Sequence, residues 1–200
     1  MRASRAIAAA LLGYGLGGFP SADLAAWAAG STDLRRRGSG NPGAANAMGV
    51  LGAGWGGAVL AADVTKAALA CGIGRTLAGG TGSHLGGVAA VVGHCYPVAR
   101  GFKGGKGVAA SVGQCLVTFP AYFPIDLGVA LVTSRSGFRH RAFAATAVAS
   151  LAWVGGGIVW WKKGWPNAWG PEPSVGLPIA AAVSSAVIME RFRAARVQGN

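Results

Sequence analysis

Residues 101–107 read GFKGGKG, a short stretch in which four glycines surround two lysines. Glycines at this density let neighbouring backbone N–H groups turn toward one point, which is how main-chain nests bind oxyanions. The lysines add positive charge, and a helix predicted to begin near Val108 directs the positive end of its dipole to the same place. The segment therefore predicts a site for a phosphate-bearing ligand. Its predicted binding residues are Lys103, Gly104, Gly105, Lys106 and Gly107.

This glycine-lysine segment differs from a nucleotide-binding P-loop. The Walker pattern requires G-x-x-x-x-G-K-[ST]. Lys106 does follow Gly105, but position 100 is Arg and position 107 is Gly. The alternative hypothesis is a flexible turn whose lysines serve only to orient a membrane protein, and it leaves the glycine density unexplained.

A second polar segment, RRRGSGNPGAAN, covers residues 35–46. Small hydrogen-bonding side chains stand among glycines there, so the loop could surround a polar ligand while its three arginines attract negative charge. Taken alone, the segment is also typical of a simple polar turn, because Asn-Pro marks loops. The candidate ligand-binding residues are Ser39, Asn41, Gly43 and Asn46.

Three ionisable residues lie within apolar stretches. Asp63 and Lys66 stand at i and i+3, which places them on one side of a helix. Charges inside a membrane segment are costly unless they are paired, so a structural ion pair is favoured over substrate contact. His94 lies just before the glycine-lysine segment, where a binding role and a packing role are both open.

The remaining chemistry-bearing residues suggest no cofactor. Cys71, Cys95 and Cys115 are scattered through apolar surroundings and are predicted to be small buried side chains. With the histidines equally dispersed, the sequence predicts no metal site. No Ser/His/Asp arrangement is visible either.

The composition predicts helices that lie in a membrane. The chain of 200 residues is 52% hydrophobic and only 12% charged, with a mean hydropathy of +0.44. Soluble domains carry about 25% charged residues. We therefore predict an all-α, polytopic membrane protein that forms a single integral membrane domain of about seven transmembrane helices. The predicted apolar segments are 6–29, 48–72, 81–98, 108–119, 121–133, 143–161 and 174–190.

The basic residues cluster between these apolar segments. This pattern suits the positive-inside rule and not a nucleic-acid partner, which would meet a basic soluble face. Placing the C-terminus inside puts twelve basic residues on the cytoplasmic face and five on the other, so the sequence predicts N-out and C-in. The twelve are Arg35, Arg36, Arg37, Arg100, Lys103, Lys106, Arg135, Arg139, Arg141, Arg191, Arg193 and Arg196.

Two terminal features have alternative interpretations. Residues 1–28 imitate a secretory signal, with AWA at 26–28 as a cleavage site, but glycines and Pro20 interrupt the apolar run. A first membrane helix is therefore preferred. The tryptophan-rich stretch 160–173 is predicted to be a loop at headgroup depth.

At these residues the sequence resembles the bacterial acyl-phosphate:glycerol-3-phosphate acyltransferase family. DLRRRGSGNPGAAN (33–46) is similar to the family's first motif, and GHCYPVARGFKGGKGVA (93–109) is similar to the second almost throughout. GYGLGGFP (13–20) and the Asp63/Lys66 pair match weaker signatures in the right order.

The resemblance implies a seven-helix enzyme of the bacterial inner membrane with its active face in the cytoplasm. It implies acyl transfer from acyl phosphate to the 1-hydroxyl of glycerol 3-phosphate, giving lysophosphatidate and phosphate. Membrane lipids are the expected surroundings, and no protein partner is indicated.

The sequence also departs from the family pattern. Ala45 and Gly49 replace a usual threonine and a basic residue, and Phe138 and Arg141 stand where serines are usual. MERFRAARV (189–197) lacks the His-x-x-Asn of the third motif. A second hypothesis is therefore a catalytically impaired relative that binds phosphate-bearing lipid precursors or assists a partner enzyme. A third, a small transporter or channel, would need more polar residues inside several helices.

Overall fold

Every regular element in the described part of the chain is helical. The computed structural model describes residues 2–30, 33–135 and 140–197. Its helices are α1 (Arg2–Gly17), α2 (Ser21–Ala28), α3 (Ala44–Leu51), α4 (Ala53–Cys95), α5 (Val108–Thr118), α6 (Phe123–Ser134), α7 (Arg141–Lys163) and α8 (Gly176–Val197). Short 3₁₀ turns, Leu34–Arg36 and Val98–Arg100, lie in the two polar loops.

Helix α4 reverses direction near its middle. Ala78 and Gly79 leave helical geometry, and Gly79 adopts φ 59°, a conformation that glycine reaches without a Cβ penalty. The two arms, 53–77 and 80–95, then pack antiparallel with almost no space between them. A Cβ at Gly74 would collide with the carbonyl of Gly82, and one at Gly86 with the carbonyl of Ala70.

Helix α1 packs parallel to the second arm of α4 through glycines. A Cβ at Gly13 would collide with the backbone of Gly86, and one at Gly17 with the backbone of Ala90. Small residues allow this approach, which is how helices associate where no water is present to drive burial.

The helices alternate so that one end of the bundle collects both polar loops. Helix α1 and the second arm of α4 finish at this end, where α5 begins and α8 finishes. A core cluster joins these elements, with Ala67, Val91, Ala110 and Ile188 all at most 2% exposed. The opposite end carries a second cluster around Phe119, Trp153 and Leu177.

Two of the predicted apolar segments needed correction. Segment 6–29 is two helices, because the chain breaks at residues 18–20 between α1 and α2. Segment 48–72 spans the end of α3 and the start of α4, which are separated at Gly52 with φ 97°. Helices cover the other five predicted segments.

Within the described residues, two stretches are long and apolar enough to cross a membrane by length and composition. They are 53–100, with mean hydropathy 1.4, and Arg141–Lys163, with mean hydropathy 1.7. The first includes both arms of α4. The tryptophan-rich stretch 160–173, predicted as a loop, begins inside α7, which continues to Lys163. Trp160 in the last turn of α7 packs edge-on against Trp165, with ring centroids 4.8 Å apart.

Candidate active site

A pocket lies where the two polar loops meet the ends of α1 and α2. We call residues 33–43 the first loop, residues 96–107 the second loop, and the cavity between them the loop pocket. Its lining comes from both loops, from α1, α2 and α4, and from the break between α1 and α2: Gly17, Gly18, Phe19, Pro20, Ser21, Ala22, Asp23, Arg35, Pro42, Lys66, His94, Pro97, Arg100, Gly104 and Gly105. The two motifs therefore face one cavity.

Arg35 ties the two loops together. Its Nε and Nη2 donate to the carbonyl of Lys103 in the second loop at 3.1 and 3.0 Å. Its Nη1 donates to Asp33 at 3.1 Å and forms a salt bridge with Asp23 of α2. A single guanidinium thus fixes the first loop, the second loop and α2 in one arrangement.

Asp33 and Arg35 both stay charged at neutral pH. The backbone N–H of Arg35 lowers the pKa of Asp33 below its usual value. Burial alone would lower the pKa of Arg35, but its hydrogen bond and charge interaction with Asp23 outweigh that effect and raise it. Both groups therefore stay ionised wherever a phosphate would also be ionised.

Asn46 organises the first loop from within. The buried amide Nδ2 donates to the carbonyls of Leu34 and Arg37 at 2.9 and 3.0 Å, and Oδ1 accepts from the N–H of Ser39 at 2.8 Å. The structure therefore places Asn46 as a brace beneath the loop.

The other predicted residues of the first loop lie nearer its surface. Ser39 is exposed and Asn41 is half-buried, while Gly43 is buried at the start of α3. A Cβ at Gly43 would press on the Asn41 amide at 2.7 Å. Asn41 and Ser39 thus remain candidates for direct ligand contact, and Gly43 allows Asn41 its position.

The second loop folds back onto the end of α4. The N–H groups of Gly104 and Gly105 donate to the carbonyls of Cys95 and His94, both at 3.1 Å. Our prediction of an anion nest is therefore wrong for these two N–H groups, since main-chain carbonyls already occupy them. A Cβ at Gly105 would collide with the imidazole of His94, and one at Gly104 with the His94 carbonyl. Glycine is required here for close packing.

Lys103 precedes this turn, and Lys106 and Gly107 follow it. Lys103 is exposed. Lys106 places its Nζ 4.6 Å from the ring centroid of Phe192 in α8, a cation–π arrangement. Gly107 has φ 89° and begins α5, with Ile188 packed against it.

Helix α8 is hydrogen-bonded to the second loop through Arg191. Its Nη2 and Nε donate to the carbonyls of Gly104 and Gly105 at 2.7 and 3.2 Å, and its guanidinium lies 5.2 Å from the Tyr96 ring centroid. This contact is made from the segment that lacks the family's His-x-x-Asn. Ala45, Gly49 and Arg141 are exposed, whereas Phe138 lies outside the described residues.

Asp63 and Lys66 form the predicted ion pair, with Nζ and Oδ1 2.8 Å apart. Both are buried, and the same carboxylate oxygen accepts from Ser21 Oγ at 2.6 Å and lies 3.5 Å from His94 Nδ1. Lys66 also donates to the carbonyl of Phe19 at 3.0 Å. The pair therefore joins α4 to the break between α1 and α2, and Lys66 itself forms part of the pocket wall.

Sequence reasoning missed three residues of the pocket: Ser21, Asp23 and Arg100. Asp23 lies 3.1 Å from Arg100 Nε as well as pairing with Arg35. The sequence does signal the break between α1 and α2, because Gly17, Gly18 and Pro20 all disfavour a continuous helix there. No local pattern shows which distant arginines the carboxylate beyond that break would meet.

Comparison with known proteins matches this chain to a family over almost its whole length. Residues 7–196 match the family described as glycerol-3-phosphate acyltransferase. Glycerol-3-phosphate acyltransferase 4 of Dehalococcoides mccartyi is 39% identical over 171 residues, covering 78% of this chain and 88% of that protein. The glycerol-3-phosphate acyltransferase of Methylorubrum extorquens is 37% identical over 182 residues, covering 80% and 86%.

Two solved structures share the fold. The crystal structure of PlsY (YgiH), an integral membrane glycerol 3-phosphate acyltransferase, in its glycerol 3-phosphate form superposes with a TM-score of 0.76 at 29% identity. Its lysophosphatidic acid form gives 0.74 at 26% identity. Each comparison covers 94% of this chain and 88% of the solved chain.

Proposed function

Because the chain belongs to the glycerol-3-phosphate acyltransferase family, we propose that it acylates glycerol 3-phosphate, with an acyl phosphate as donor. The 1-hydroxyl oxygen attacks the acyl carbonyl carbon, and the bond from that carbon to the phosphate oxygen breaks. The hydroxyl proton leaves with the phosphate. The products are lysophosphatidate and inorganic phosphate.

The contact between Arg35 and the carbonyl of Lys103 carries this proposal. It joins the two loops whose composition predicts phosphate binding, and the reaction brings together two phosphate-bearing substrates. A carbonyl already activated by a phosphate leaving group needs alignment and charge stabilisation more than a protein nucleophile.

The residues divide into ligands and supports under this proposal. Lys103, Lys106 and the N–H groups where α5 begins at Gly107 hold phosphate, while Ser39 and Asn41 position the glycerol phosphate. The supports are Gly43, Asn46, His94, Gly104 and Gly105, which shape the loops around that space.

The proposal also includes the location and orientation of the enzyme in the membrane. The helices α1, the two arms of α4, and α5 to α8 make seven crossings of a bacterial inner membrane, with the N-terminus outside. The predominance of basic residues at the loop-pocket end supports placing that end in the cytoplasm. The acyl chain of the donor then lies among lipid, beside the helices.

Turnover by the purified protein tests the function. The full chain in detergent is incubated with acyl phosphate and labelled glycerol 3-phosphate, and labelled lysophosphatidate and released phosphate are measured. Equal amounts of the two products support the proposal. Substrate binding without turnover supports the catalytically impaired relative, and solute flux in reconstituted vesicles supports a transporter.

A further inference from the structure

Arg35 and Arg100 share the carboxylate of Asp23 but differ in how many donors remain. A guanidinium has five N–H groups. Those of Arg35 are directed at Asp23, Asp33 and the carbonyl of Lys103 through Nε, Nη1 and Nη2. Arg35 is therefore committed to holding the protein together.

Arg100 is fixed by one atom only. Its Nε lies 3.1 Å from Asp23 Oδ2, and its two terminal amino groups make no hydrogen bond within the described part of the chain. Its side chain lines the loop pocket and is 44% exposed. Four N–H groups are thus available in the fork geometry that suits a phosphate oxygen pair.

The charge balance of the pocket points to the same residue. Lys66 lines the pocket but is paired with Asp63 at 2.8 Å. Arg35 is paired with two carboxylates, Asp23 and Asp33, whereas Arg100 has only the carboxylate that it shares with Arg35. The cationic donors left for a ligand lie on the terminal amino groups of Arg100.

We propose that Arg100 is a phosphate-binding residue of the loop pocket, presented in a fixed direction by Asp23 and Arg35. The inference rests on the proposed function and extends it, because Arg100 lies within the second motif but was not among the binding residues predicted from it. Either substrate carries the chemistry that Arg100 would recognise, a phosphate group with two oxygens toward the pocket.

Steady-state kinetics of the full-length enzyme test this assignment. Arg100→Gln removes the fork and its charge, and Arg100→Lys keeps the charge without the fork. The control Arg135→Gln removes an exposed arginine that follows α6 at the same end of the bundle. KM is measured for glycerol 3-phosphate and for acyl phosphate separately, so the substrate whose KM rises identifies the phosphate that Arg100 binds.

We expect Arg100→Gln to raise one KM by about tenfold to a hundredfold, the range for hydrogen bonds to charged groups. The KM of Arg100→Lys should fall between those of Arg100→Gln and the wild type, and the KM of Arg135→Gln should stay within about twofold of wild type. Unchanged KM values for Arg100→Gln, or an equal rise for Arg135→Gln, overturn the inference.

A binding measurement separates this inference from the proposed function. Isothermal titration with glycerol 3-phosphate and with inorganic phosphate is run on the wild type and on Arg100→Gln. If the wild type shows no turnover, the proposed reaction fails, while weaker phosphate binding by Arg100→Gln still supports the role of Arg100. Equal affinity of both proteins for both probes overturns it.

Discussion

At the scale of single residues, some polar side chains around the loop pocket hydrogen-bond to the protein backbone, whereas others have donors available to a ligand. The Asn46 amide forms hydrogen bonds with three backbone groups, and the Arg191 guanidinium donates to two backbone carbonyls. Contacts of this kind set the shape of a loop. Under the proposed function, phosphate contact is assigned to other side chains, among them Lys106 of the second loop, whose Nζ lies 4.6 Å from the Phe192 ring centroid.

Replacing Lys106 by Ala should abolish acyl transfer. The substitution removes the ammonium group that, under the proposed function, stabilises the negative charge developing on the departing phosphate. Loss of one such group lowers the rate roughly a hundredfold or more. kcat and KM are measured on purified protein. Lys162→Ala, an exposed lysine at the other end of the bundle, serves as control, and retained activity in Lys106→Ala would refute the assignment.

Replacing Asn46 by Ala should loosen the first loop. The carbonyls of Leu34 and Arg37 lose their donor, and a buried polar group left without a partner costs about 1–3 kcal/mol. We expect a lower Tm in detergent. Gly49→Ala on the same helix, where a Cβ meets nothing within 4 Å, should leave Tm equal or higher; a Tm drop of the same size in both variants would contradict this role of Asn46.

At the scale of helices, the spacing of the bundle depends on glycines that touch backbone. Gly13 and Gly17 of α1 meet the second arm of α4 at Gly86 and Ala90. The contact sets the distance between two helices that end at the loop pocket. Gly17 itself lines that pocket.

Gly17→Ala should destabilise the protein, whereas Gly15→Ala should not. The new methyl group at 17 collides with the Ala90 backbone, while at 15 it meets nothing within 4 Å. Overpacking costs about 1–3 kcal/mol, and Ala is otherwise the better helix former by about 1 kcal/mol. Thermal unfolding of the pair measures the difference. Identical Tm values would show that α1 can shift away without cost.

At the scale of the whole molecule, the seven crossings that we propose would place the N-terminus and the C-terminus on opposite sides of the membrane. The loop pocket lies at the end where most of the basic residues gather. Native cysteines do not interfere with labelling, since Cys71, Cys95 and Cys115 are all at most 1% exposed.

Cysteine labelling in intact cells should report this orientation. With a membrane-impermeant maleimide, Lys163→Cys should be labelled from outside, and Ser39→Cys should react only after the cells are opened. Both positions are exposed in the structure. Labelling of Ser39→Cys in intact cells would place the loop pocket on the outer side.

The sequence predicts the helices and the two loops well, because apolar length and glycine-rich polar segments are local signals. The Asp63–Lys66 pair is also local, since one turn of helix brings both side chains to one side. The role of Asp23 could not be predicted, because its partners come from separate loops. The N–H groups of Gly104 and Gly105 were misassigned because only the folded chain shows the carbonyls that occupy them.

The glycine contacts between α1 and α4 have a consequence at the level of the gene. Every single-nucleotide change in a glycine codon that alters the amino acid adds at least a methyl group. At Gly13 and Gly17 the space for that group is already filled by the opposite main chain. No one-step variant at these codons fits the bundle, so we expect inherited variation to accumulate at exposed positions such as Gly15, where the same mutation meets open space.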